Sequence, residues 1–216
     1  MIYLNLWTVI TKDELNTLER ESRLVCDDKN KNCMANEYYK FEMAYDFMAS
    51  KLEEKTKPKF SIKYPRWAWY AIDGVNSKQK GQGWIDTIPN YSIGKNNVLL
   101  ELIKNDNEVL LSDADIWTIV LNGAYISDSQ KEDDDFSDAI KKCGLKEMDI
   151  FNPQYIETLT PQEKGIAKMF QQEIVNSWDK VFDLNDNNPY CRYKEKNIQA
   201  VFWEINYDKV ISIYEK

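Results

Sequence analysis

Apolar runs that are the right length for strands and too short for anything longer constrain this chain's fold most. Residues 2–10, 67–72, 98–103, 198–205 and 210–214 are rich in β-branched and aromatic side chains, which is the composition and length of strands. Between them the spacing turns helical. Met34, Tyr38, Phe41, Tyr45, Met48 and Leu52 recur at steps of four and three and so fall along one stripe. Thr11 with Glu14 forms a capping box that opens a helix through Leu15 and Leu18. Thr160, Pro161 and Glu163 open another, whose Ile166, Met169, Phe170, Ile174 and Trp178 should be buried. Ser112 with Asp115 marks a further helix start, with Ile116, Trp117, Val120 and Leu121 as its apolar face and Gly123 at its end. The run KEDDDFSD at 131–138 reads as a solvated loop or helix end, 26–33 as a polar loop, and 76–97 as a long, lid-like excursion. Strands and helices intermingle without regular βαβ spacing. The expected fold is therefore α+β, a single domain over residues 1–216 with a mixed or mostly antiparallel central sheet and flanking helices.

Composition removes whole classes of chemistry. The 216 residues include no histidine, which excludes Ser-His-Asp and Cys-His catalysis and histidine-ligated zinc. A dinucleotide glycine fingerprint fails because Asp86 stands where the third glycine after Gly81 and Gly83 belongs, and GxxxxGK[ST] and GxSxG are absent. The spacing of Cys26, Cys33, Cys143 and Cys191 fits no zinc ribbon, and the acidic run lacks the spacing of a calcium loop, so no metal is expected. Lys+Arg 28 against Asp+Glu 36 leaves a net charge of −8, with arginine only at 20, 23, 66 and 192, so duplex nucleic acid is a poor partner. The opening MIYLNLWTVITKDEL reads as a first strand rather than a leader, and no run approaches the roughly 20 apolar residues that span a bilayer. The expected location is cytoplasmic, with the cysteines as thiols.

Five segments together carry a resemblance: LWT at 6–8, AYDFM at 44–48, WAWY at 67–70, LLSDADIWTIVLN at 110–122, and SWDKVFDL followed by IQAVFWEI. Over nearly its whole length the chain resembles the bacterial family described as domain of unknown function 3841, which implies no activity. The order of elements is also similar to that of ADP-ribosyltransferase-type folds, which implies NAD as substrate. That resemblance places Trp7 and Thr8 in the first motif, Trp69 and Tyr70 in the second, Ser112 and Asp113 at the acidic turn and Gln199 in the last. Gln199 and Asp113 would carry the chemistry, and Trp7, Thr8, Trp69, Tyr70 and Ser112 would hold the ligand. Arg66 would either clamp a phosphate or form an ion pair. Two positions depart from the pattern: Trp7 stands where His or Arg is common, and neutral Gln199 replaces a glutamate.

On this reading Thr8, Tyr70, Asp113 and Gln199 converge on one pocket of a nucleotide-binding protein or an ADP-ribosyltransferase-like enzyme. The alternatives are core packing for the tryptophans, backbone pairing for Gln199, and a non-catalytic module that grips another protein, such as an inhibitor, immunity or defence-accessory protein.

Overall fold

The computed structural model describes residues 2–26, 39–58, 61–72, 75–76, 96–185 and 196–214. Strand β1 (Tyr3–Thr11) passes directly into helix α1 (Lys12–Glu21). Thr11 makes the turn: its hydroxyl accepts from the Glu14 amide while the Glu14 carboxylate accepts from the Thr11 amide. Ser22 ends the helix at φ 59°, and β2 (Arg23–Val25) follows. Next come α2 (Tyr39–Lys55), β3 (Arg66–Ile72), β4 (Val75–Asn76), β5 (Asn97–Asn105), β6 (Leu110–Asp113) and α3 (Ala114–Leu121). Helices α4 (Gln130–Lys142), α5 (Pro153–Thr158) and α6 (Pro161–Ser177) precede β7 (Ile198–Phe202), β8 (Glu204–Asn206) and β9 (Val210–Tyr214).

The main sheet runs β6-β7-β3-β1-β5-β9, with β4 folded back on β3, and all its pairings are antiparallel. β2 and β8 form a separate two-stranded ribbon. This is the expected α+β architecture. One face of the sheet, carrying Leu6, Ile10, Ala68, Leu100, Leu102, Ala200 and Phe202, packs against Leu15 and Leu18 of α1 and Leu24 and Ile205 of the ribbon. The other face carries Trp67, Leu110 and Val201, which join Ala44, Met48 and Leu52 of α2 and Trp117 and Val120 of α3. That second core continues through Phe136 and Ile140 of α4 and Ile174 of α6 to Trp178, whose indole N–H donates to the Ala124 carbonyl at 2.9 Å.

Four local expectations are corrected. The acidic run lies inside α4, because Ser129 caps that helix and Phe136 and Ile140 give it a buried side. The strand expected over 198–205 breaks at Trp203, where the chain leaves the main sheet for the ribbon. The indole N–H of Trp203 donates to the Thr56 carbonyl just past α2 and pins that corner. Met169 is 73% exposed, since Ala167 and Ile174 carry the inward side of α6. In β3 the alanines are buried and the larger Trp67, Trp69 and Tyr70 only half-buried. Met34, Tyr38, Cys33, Cys191 and, of the expected excursion over 76–97, residues 77–95 lie outside the described residues. Cys143 is a free thiol. Among the described residues no helix is long and apolar enough to cross a membrane.

Candidate functional site

Antiparallel register sets the site. Glu101 of β5 stands opposite Trp7 of β1, Trp7 opposite Trp69 of β3, Trp69 opposite Gln199 of β7, and Gln199 opposite Ser112 of β6. Directly opposed residues point to the same side of a sheet, so these five side chains form one row across five strands. It lies on the face shared with Trp67, Val201 and Leu110, two positions along their strands.

At one end of the row, polar groups are buried without partners. Ser112 is fully buried and Gln199 is 9% exposed. Neither the Ser112 hydroxyl nor the Gln199 amide nitrogen has a hydrogen-bond partner among the described residues, and the same holds for the indole N–H of Trp67 on that face. All three can donate. In the middle of the row Trp7 is buried and stacks obliquely on Tyr214, centroids 5.6 Å apart, while Trp69 is half-buried.

The sequence-derived residues divide between the faces. The row brings together Trp7, Trp69, Gln199 and Ser112. Thr8, Arg66, Tyr70 and Asp113 point the other way, so the expected convergence of Thr8, Tyr70 and Asp113 with Gln199 is corrected. Adjacent strand residues alternate, which already separates Thr8 from Trp7. The Thr8 hydroxyl donates to the Trp67 carbonyl at 2.7 Å. The same alternation sets Tyr70 apart from Trp69 and puts it, with Ala68, on the face covered by α1. Of the two roles considered for Arg66, its guanidinium is occupied by an ion pair: one nitrogen meets the Glu14 carboxylate at 2.8 Å and another donates to the Val25 carbonyl at 3.1 Å. Burial pushes the Glu14 carboxyl up, but the charge of Arg66 and hydrogen bonds from Thr11 and Arg66 outweigh it and leave its pKa below the ordinary value.

Asp113 is fully engaged. It, rather than Ser112, caps α3: Oδ1 accepts from the amides of Asp115 and Ile116, and Oδ2 faces the Lys196 ammonium at 3.0 Å. The Oδ2 contact is an ion pair without good hydrogen-bond alignment. The Ala114 amide donates to the Asn197 carbonyl at 2.8 Å, tying the start of α3 to the chain entering β7. Asp113 thereby holds the frame beside Ser112 and Gln199. Sequence reasoning missed Glu101, the one charged side chain between 97 and 103 of β5. A lone carboxylate inside an apolar strand was the available signal. Among the described residues, no cluster of three Cys, Asp or Glu side chains could hold a metal ion.

The family model described as "Domain of unknown function (DUF3841)" matches residues 5–211, and the chain belongs to that family. No curated protein and no solved structure matches the chain.

Proposed function

We propose that this protein binds an NAD-type nucleotide along the row from Trp7 through Trp69 to Gln199 and Ser112. One observation carries the reading: two adjacent, buried donors, the Ser112 hydroxyl and the Gln199 amide nitrogen, have no hydrogen-bond partner among the described residues. An unsatisfied buried donor costs about 1–3 kcal/mol, and native proteins keep few of them, often where a ligand or water completes the set. A carboxamide or hydroxyl acceptor on a ligand would satisfy both. Aromatic walls suit the nicotinamide ring, and the four strands that carry the candidate residues, β1, β3, β7 and β6, are immediate neighbours.

The proposal is for binding. Cleavage of the glycosidic bond would call for negative charge opposite an oxocarbenium-like centre. Gln199 is neutral, and both oxygens of Asp113 are committed to α3 and Lys196. Calorimetry with NAD and ADP-ribose tests the reading. Saturable heat with the wild type, lost in Gln199→Leu, is the expected result; no heat at millimolar ligand overturns it.

A second reading, a non-catalytic protein-interaction module, is favoured by one feature. Ile211 and Ile213 are 50% and 37% exposed on β9, which ends the sheet among the described residues, and such an edge can accept a partner strand. A silent nucleotide titration leaves that reading standing.

A further inference from the structure

The two end strands of the main sheet differ in cover. At β6 the edge is closed: Ser112 and Asp113 are fully buried, and Leu110 packs into the core shared by α2 and α3. No residue of β9 is buried. It pairs with β5 on one side and, among the described residues, with no strand on the other. Three of the seven large apolar side chains exposed among the described residues, Tyr207, Ile211 and Ile213, fall in or just before this strand, so exposure is concentrated at one edge.

Edge strands are ordinarily guarded by charge, proline or a bulge. The strand VISIY has no charge and no proline; its one guard is a bulge at Ile211, which has no opposite residue on β5. The charges stand at its ends. Asp208 and Lys209 precede it, in the single-turn 3-10 helix Tyr207–Lys209. Glu215 and Lys216, outside the described residues, follow it in the sequence. Asp208 and Lys209 meet each other at 3.2 Å on the surface, a contact weak enough to be exchanged for another.

This stretch is complementary to itself. Laid antiparallel on a second copy about Ser212, it sets Lys209 against the partner's Glu215, Val210 against the partner's Tyr214 and Ile211 against the partner's Ile213. Asp208 and the partner's Lys216 stand one step further out. Opposite charges set against each other favour a strand pair, and like charges disfavour it. A slip of one residue in either direction brings Asp208 against the partner's Glu215 or Lys209 against the partner's Lys216. Charge therefore selects the register about Ser212 over its neighbours, and the two-fold axis doubles each contact.

We infer that β9 of a second copy of this chain occupies the β9 edge, the two strands joined antiparallel about Ser212 into one continuous sheet. Because β6 is covered, the main sheet has one open end among the described residues, and the pairing closes as a two-fold dimer rather than a filament. The inference rests on the edge named in the second reading and is independent of the nucleotide site.

Sedimentation of the full chain from about 1 μM to about 1 mM tests it. A monomer–dimer equilibrium is expected. Lys209→Glu and Glu215→Lys should each weaken it about tenfold or more, since each sets two like-charged pairs across the axis. An equal mixture of the two variants should recover dimer at the wild-type affinity, because the mixed pair restores opposite charges at both positions. Wild-type protein that stays monomeric throughout overturns the inference, and leaves the nucleotide reading and an edge open to a foreign strand where they stood. A dimer undiminished by either charge reversal, or not restored in the mixture, overturns it as well.

Discussion

The two faces of the central sheet bury polar groups in opposite ways. Under α1 and the β2–β8 ribbon, the buried polar residues Thr8, Lys104 and Asp113 each have a partner, with Asp113 Oδ2 held by an ion pair rather than a hydrogen bond. Thr8 donates to a neighbouring strand, the Lys104 ammonium donates to the Asn206 side-chain Oδ1 at 3.1 Å and lies over the Phe202 ring, and Asp113 caps a helix. On the Trp7–Trp69 face, Ser112, Gln199 and the indole N–H of Trp67 are buried without a partner among the described residues. Polar groups buried for the fold arrive with their partners, because leaving them alone would cost more than they return. Polar groups buried without partners point to something the chain itself does not supply.

That contrast can be broken by substitution. Asp113→Ala should have the largest effect, a loss of about 3 kcal/mol in urea denaturation, since it removes the α3 cap and leaves the Lys196 charge uncompensated. Thr8→Val and Ser112→Ala form a sharper pair. Thr8→Val should cost about 1 kcal/mol, because the Trp67 carbonyl loses its donor. Ser112→Ala should change stability by no more than about 0.5 kcal/mol, or raise it, because the hydroxyl it removes has no bond to lose. Equal losses from the two would erase the distinction between the faces.

The smallest effect is on acid stability. Because the Glu14 pKa is lower in the folded state, its contribution is complete above the unfolded value of about 4.3 and fades as pH falls through the folded one. Glu14→Gln should flatten the urea midpoint between about pH 5 and pH 2 by less than 1 kcal/mol, as the pair is partly exposed.

Much of the fold was legible in the sequence, and the reasons are local. Thr11–Glu14 and Thr160–Glu163 are reciprocal caps that work at fixed spacing whatever surrounds them, and both form. The α2 stripe was legible because Met48 and Leu52, one helical turn apart, both reach the core. Less local features were harder to read. The sequence spacing puts the start of α3 at Ser112; the helix begins one residue later, with Asp113 as its cap and Ser112 within β6 opposite Gln199. Polarity alone suggests a solvated loop or helix end at 131–138, and the 3.6-residue spacing that places Phe136 and Ile140 on one side carries the helix through the whole run.

For the candidate site, residue types were legible and their grouping was not. Alternation separates Trp7 from Thr8 within a strand. Alternation likewise separates Tyr70 from Trp69, but the meeting of Trp69, Gln199 and Ser112 depends on register between strands far apart in the chain.

The corner at Trp203 gives this arrangement a mechanical side. The backbone that presents Gln199 to one face becomes, five residues later, the ribbon strand that seals the opposite core, with the Trp203 indole tethered to the end of α2 between them. A shift of β7 must be absorbed in the short span before that tether or transmitted through it. The ribbon and the end of α2 are thus the parts of the molecule placed to respond to any displacement of β7.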